Sequence, residues 1–158
     1  MIIKDFLLKL VSDEKHAGEM YILLSEKLEP DLAEISLKFS RKEIHHIKIL
    51  SDLAEKLSDS KYEISSIIDE LSPYLDSASE DKEDEEKELD ENPDLLKNIS
   101  KKQFFLYALK KEKDSIAIYE ILRNFFKNDT SLEYIFSNLI REEEDHMYFI
   151  LDEMHKLK

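Results

Sequence analysis

At 158 residues with a formal net charge of −14, the chain is one domain's length, and its negative field disfavours phosphate backbones and anionic lipid surfaces. Folding at this size buries roughly 70% of the surface exposed by the unfolded chain, enough for a single core over 1–158. One glycine, three prolines and abundant Glu, Lys, Leu and Ile favour an all-α fold, and the lack of cysteine excludes disulfides, zinc–thiolate sites and iron–sulfur clusters. The opening Met-Ile-Ile-Lys-Asp has no signal-peptide pattern and no stretch approaches ~20 apolar residues, so the chain reads as cytoplasmic, with neither nucleic acid nor membrane as partner.

Four long segments carry apolar residues at helical period. The first runs Phe6, Leu10, Glu14, Ala17, Tyr21, Leu24, Leu28, a core stripe with one carboxylate in it. The second enters through Pro30 and Asp31 and runs Leu32, Ser36, Phe39, Glu43, His46, Leu50, Leu53, Leu57. The third starts at Ser100, with Gln103 placed for a capping box, and runs Phe105, Ala108, Glu112, Ser115, Tyr119, Leu122, Phe126. The fourth starts from Thr130, with Glu133 placed likewise, and runs Leu132, Phe136, Leu139, Glu143, His146, Ile150, Leu157. Each stripe is interrupted by ionisable groups near its middle.

Residues 58–99 are far longer than the two to eight that usually join neighbouring helices, so they read as a crossover that leaves the second and third helices parallel. Such a connection marks ferritin-like four-helix bundles. Ile64 to Leu75 reads as a short helix ending near Pro73. Between Asp76 and Glu91 ten acids face Lys82 and Lys87, so this stretch supplies 10 − 2 = 8 of the 14 excess negative charges. It reads as a solvated loop or exposed helix face; attraction of iron by its field is the second reading.

Four glutamates and two histidines thus occupy positions where periodicity demands apolar residues. An isolated ionised carboxylate in a core costs many kcal/mol, so it must be paired, protonated or bound to metal. Lys15, Lys42, Lys111 and Arg141 neighbour the glutamates in sequence and therefore point ~100° away round each helix. Two divalent ions against four carboxylates and two neutral imidazoles make a neutral site, as a dry core requires. Glu43 and His46, like Glu143 and His146, are three apart, so each pair can chelate one ion from one helix face. Glu14 and Glu112 stand alone on their helices, free to serve both ions. The halves repeat: Glu14 to Glu43 is 43 − 14 = 29 residues, and Glu112 to Glu143 is 143 − 112 = 31.

Glu14, Ala17 and Tyr21 in Glu-Lys-His-Ala-Gly-Glu-Met-Tyr, Glu43 and His46 in Lys-Glu-Ile-His-His, Glu112 and Tyr119 in Glu-Lys-Asp-Ser-Ile-Ala-Ile-Tyr, and Glu143 and His146 in Glu-Glu-Asp-His resemble the rubrerythrin diiron domain of the ferritin-like superfamily. The likeness spans nearly the whole chain apart from the acidic insert. It implies a ferritin-like four-helix bundle with two iron ions held by Glu14, Glu43, His46, Glu112, Glu143 and His146. This sequence departs from that pattern twice. Without cysteine it has no rubredoxin-type iron domain, and Ser115 stands where many rubrerythrins carry a further glutamate.

The function implied is a rubrerythrin-like peroxidase, an oxidoreductase reducing hydrogen peroxide, or dioxygen, with electrons from an external donor. Bacterioferritin-type iron oxidation and storage is the second reading, and a non-enzymatic metal-binding bundle the third. Hard oxygen donors plus imidazole suit manganese as well as iron. Tyr21 and Tyr119, seven residues after Glu14 and Glu112, are placed to hydrogen-bond a ligand carboxylate or simply to pack. His45 is off the stripe, His16 and His155 read as surface, and Gly18 reads as a point of close helix approach. Ile22, Ile47, Ile118 and Tyr148, apolar but off the stripes, suggest a second buried face and a homodimer.

Overall fold

The computed structural model describes residues 1–59, 62–75 and 100–157. The regular elements among them are helical: α1 (Ile3–Lys27), α2 (Pro30–Lys56), the one-turn α3 (Ile68–Leu71), α4 (Lys101–Phe125) and α5 (Thr130–His155). Tighter 3₁₀ turns at Ser65–Ile67 and Ser72–Tyr74 flank α3, so the expected helix over 64–75 is three short pieces. Pro73, which has no N–H to donate, sits in the last of them. The acidic run from Asp76 to Glu91, and with it most of the expected crossover, lies outside the described residues. The described residues fall into two compact units, one within 1–68 and one of 69–75 with 100–157.

In the first unit, α1 and α2 form a helical hairpin joined by Leu28 and Glu29 alone. Pro30 occupies the first turn of α2, where its missing N–H would have had no helical partner. The expected stripes are buried: Phe6, Leu10, Ala17, Tyr21 and Leu24 on α1, and Leu32, Phe39, Leu50 and Leu53 on α2. Leu28 and Leu57, the last members of their stripes, are half-buried because each sits at a helix cap. The buried Ser36 hydroxyl donates to the Tyr21 carbonyl at 2.5 Å, tying the two helices, and the Tyr21 ring meets Phe39 at 5.4 Å. Beyond α2 the chain returns to the start of α1. There the Ile3 N–H donates to the Tyr62 carbonyl at 2.9 Å and the Ile64 N–H to the Met1 carbonyl at 3.0 Å. The Met1 ammonium, 2.6 Å from Glu63, and the Ser65 hydroxyl lower the Glu63 pKa from 4.5 to about 2.

The second unit holds the hairpin of α4 and α5, joined by residues 126–129. Ser100 and Gln103 form the expected capping box: the Gln103 N–H donates to the Ser100 hydroxyl at 3.2 Å, and the Ser100 N–H to the Gln103 side chain at 2.8 Å. At α5 the expectation is corrected by one residue. Asp129 is the cap, accepting from the Leu132 N–H at 3.1 Å, and Thr130 is already helical. An aspartate there supplies both an acceptor and a negative charge at the positive helix end. Phe105, Ala108, Tyr119, Leu122 and Phe126 are buried on the α4 side, as are Leu132, Phe136, Leu139 and Ile150 on α5. Ser115 is half-buried, and Leu157 is exposed because α5 ends before it, at His155.

Of the four apolar residues expected on a second face, Ile22 and Tyr148 are exposed and Ile47 is half-buried. Ile118 is buried, because it lies four residues before Leu122 and seven after Lys111 on a buried row of α4. No helix among the described residues is long and apolar enough to cross a membrane.

Candidate metal centre

The helical repeat brings the six ionisable stripe residues together in two groups, one per hairpin. Glu14 on α1 meets Glu43 and His46 on α2, and Glu112 on α4 meets Glu143 and His146 on α5. In each triad one ligand atom per residue lies within 4.8 Å of the other two. Bonds of about 2.0–2.2 Å to a single ion close such a spread with small side-chain rotations. All six residues are buried, His46 and Glu143 to 1% exposure.

Burial at this depth makes the carboxylates' partners decisive. The Oε2 atoms of Glu43 and Glu112 have no hydrogen-bond partner among the described residues. His146 Nδ1 lies 3.6 Å from Glu112 Oε2 and 3.8 Å from Glu143 Oε2. Both separations exceed hydrogen-bonding reach. Two buried carboxylate oxygens at these distances from one imidazole nitrogen present a donor set that a divalent ion fills. Each triad contributes two carboxylates and one imidazole, so one divalent ion per triad balances its charge. The residues therefore fit the metal that the sequence pattern implies.

Local structure explains the placement. The three-residue step from Glu43 to His46, and from Glu143 to His146, turns both side chains of a pair to the same helix face. Gly18 is one turn beyond Glu14, and a methyl group added there would meet the Glu43 Cβ at 3.5 Å, ordinary contact distance. The close approach expected at Gly18 is thus loose enough for alanine. Tyr21 and Tyr119 are buried, with their rings against Phe39 and, at 6.3 Å, Phe136. His45 is exposed, but its ring lies 6.0 Å from that of His46. His16 is half-buried and His155 exposed at the end of α5, so neither joins a triad.

Lys111 corrects the expectation that the cations beside the glutamates avoid the interior. Lys15 and Arg141 are exposed and Lys42 is half-buried, whereas Lys111 is 8% exposed, with its ammonium 5.3 Å from the Tyr107 ring centroid. A long aliphatic stem lets lysine lie along apolar surface while an aromatic face accommodates the charge. The sequence signal was Tyr107 four residues upstream. Compared with protein-family models, with curated proteins and with solved structures, the chain matches none.

Proposed function

We propose that the chain is a ferritin-like dinuclear iron protein acting as a rubrerythrin-like peroxidase, which reduces hydrogen peroxide to water with electrons from a separate donor. The single observation that carries this reading is the pair of buried Glu-Glu-His triads, with carboxylate oxygens on Glu43 and Glu112 that lack hydrogen bonds among the described residues. Glu14, Glu43 and His46 would hold one ion, and Glu112, Glu143 and His146 the other. Bound iron supplies one electron per ion, so two ions match the two-electron reduction of peroxide by two protons and two electrons to two waters. That the two ions work as a pair is what the rubrerythrin-like sequence pattern implies. The chain's own part is to present hard donors of balanced charge, to keep bulk water away by burying them, and to brace the helices with Tyr21 on Phe39 and Tyr119 near Phe136. With no cysteine there is no internal iron–sulfur relay, so electrons must come from outside.

The test is anaerobic loading with ferrous iron, elemental analysis per chain, and stopped-flow mixing with peroxide or dioxygen. Two irons per chain, magnetic coupling between them and faster oxidation by peroxide are expected. Unchanged metal content on combining Glu43→Ala with Glu143→Ala would overturn the metal reading. A large iron-filled assembly in gel filtration, in place of a dimer, would replace the peroxidase by storage. Manganese in protein purified from its native host would change the metal and keep the site.

A further inference from the structure

The outer face of α2 is cationic, as is the start of α4, where Lys101, Lys102 and Lys110 are exposed round Leu106. Between Ile35 and Ser51 the only acid is the buried Glu43, while Lys38, Arg41, Lys42 and Lys48 are cationic, in a chain of net charge −14. Lys38, Arg41, His45 and Lys48 are exposed on the side of the helix away from Glu43 and His46. Among them lie Leu37 and Ile44, 39% and 59% exposed. Exposed aliphatic side chains set among cations are the composition of a docking patch rather than of a plain solvated face.

The other hairpin provides an internal control. Aligning Glu43 with Glu143 and His46 with His146 matches the α2 patch to Ser137, Asn138, Arg141, Glu144, Asp145 and Tyr148 on α5. That face has one cation and two acids. The same helical register, beside the same ligand pair, therefore carries the opposite balance of charge, and periodicity is not the cause of the α2 patch.

We propose that this face of α2 docks a small acidic one-electron carrier protein, which feeds electrons to the metal site; the proposal rests on the peroxidase reading above. Charge complementarity selects the partner, because a carrier with an acidic face is attracted by the patch, whereas at the start of α4 Lys101 and Lys102 lie ten or more residues before Glu112 and Lys110 is paired with Asp114 at 2.9 Å. Position supplies the rest. A helix is about 10–12 Å across, so a carrier seated on α2 stands one helix diameter from the ligands Glu43 and His46. The exposed His45 ring, 6.0 Å from the His46 ring, lies on the short way in. Two docking events, each oxidising one carrier by one electron, deliver the two electrons that one peroxide consumes.

The experiment uses a plant-type [2Fe–2S] ferredoxin as the acidic probe. Its binding to the chain, with and without metal, is measured by calorimetry. Re-reduction of the peroxide-oxidised, iron-loaded chain is followed by stopped flow with reduced ferredoxin and, separately, with reduced methyl viologen. Combining Lys38→Glu, Arg41→Glu and Lys48→Glu is expected to weaken ferredoxin binding and slow its electron delivery at least about tenfold, more at low salt. Viologen reduction, helicity and metal content stay unchanged, and the matched control Arg141→Glu on α5 behaves as wild type. Replacing the same three residues by glutamine, which should not perturb folding, gives a smaller loss in the same direction. Equal ferredoxin binding by wild type and the charge-reversed variant would overturn the proposal. So would binding to duplex DNA or anionic vesicles through these residues with none to ferredoxin. A chain that takes up no metal but binds ferredoxin through the patch would overturn the peroxidase reading and leave the surface standing.

Discussion

The two hairpins carry the same Glu-Glu-His triad among different side chains, and the differences separate the triad from the packing that surrounds it. Aligned on their triads, Glu14, Glu43 and His46 match Glu112, Glu143 and His146, and the tyrosines at 21 and 119 coincide. Around them little is shared. Ser36 corresponds to Phe136, both buried; Gly18 corresponds to the half-buried Ile116; the half-buried Asp13 corresponds to the buried Lys111. The first hairpin ties its helices with a hydroxyl-to-carbonyl hydrogen bond at Ser36, whereas the second fills the equivalent place with an aromatic ring. Identical Glu-Glu-His triads inside different packing point to the triads, rather than the cores, as the feature held in common.

The largest effect that can break this comparison is on metal. Glu112→Ala is expected to cut bound iron or manganese from two ions per chain to one or none, and Glu14→Ala to do likewise in the other hairpin. Glu144→Ala, half-buried and off the triad, should retain two. The same holds on α2 for His46→Ala against His45→Ala. Elemental analysis of protein loaded without oxygen reads all of these, and equal losses from Glu112→Ala and Glu144→Ala would sink the assignment.

Core substitutions come next and sharpen the contrast. Phe136→Ala removes a wholly buried ring that lies 6.3 Å from Tyr119 and 6.1 Å from Phe126, and should cost about 3–5 kcal/mol in urea unfolding. Ser36→Ala removes one buried hydrogen bond whose acceptor is a helix carbonyl, and should cost about 1 kcal/mol. Comparable losses would mean that the Ser36 bond holds more of the first hairpin than its geometry implies. Gly18→Ala should move the other way. The space accepts a methyl and the backbone there is ordinary helix, so a gain of about 0.5–1 kcal/mol is expected.

Much of this was legible in the sequence, for a physical reason. Stripes of three- and four-residue steps survive folding because burial enforces them, so the long helices, the six ionisable stripe residues and the capping box at Ser100 could be read directly. What failed depended on side-chain reach or on local competition. Lys111 is adjacent to Glu112 and nominally off the stripe, yet its stem carries it into the interior towards Tyr107. Asp129 outcompetes Thr130 as a cap because it accepts a hydrogen bond and adds charge, a preference that a pattern of threes and fours does not encode. Ile118, apolar but off the stripe, reads as part of a second buried face; it is buried within the chain itself, where Lys111 and Leu122 extend the buried surface of α4 to include it.

The smallest effects distinguish how the two hairpins begin. The start of α4 is held by the uncharged Ser100–Gln103 box, and Ser100→Ala should cost about 1 kcal/mol, by the same amount at any pH between 3 and 7. The start of α1 is held instead by the Met1 ammonium and Ser65 hydroxyl on Glu63. Folding lowers the Glu63 pKa from 4.5 to about 2, so its contribution is fully present above 4.5 and is lost as pH falls towards 2. The pair is exposed, so the contribution is small and screened by salt. Comparing wild type with Glu63→Gln in urea at low salt, the difference in stability is expected to be largest near neutrality and to shrink steadily below pH 4.5. A difference that grew on acidification would show that Glu63 carries its proton in the folded state and that the Met1 contact does not hold it as a carboxylate.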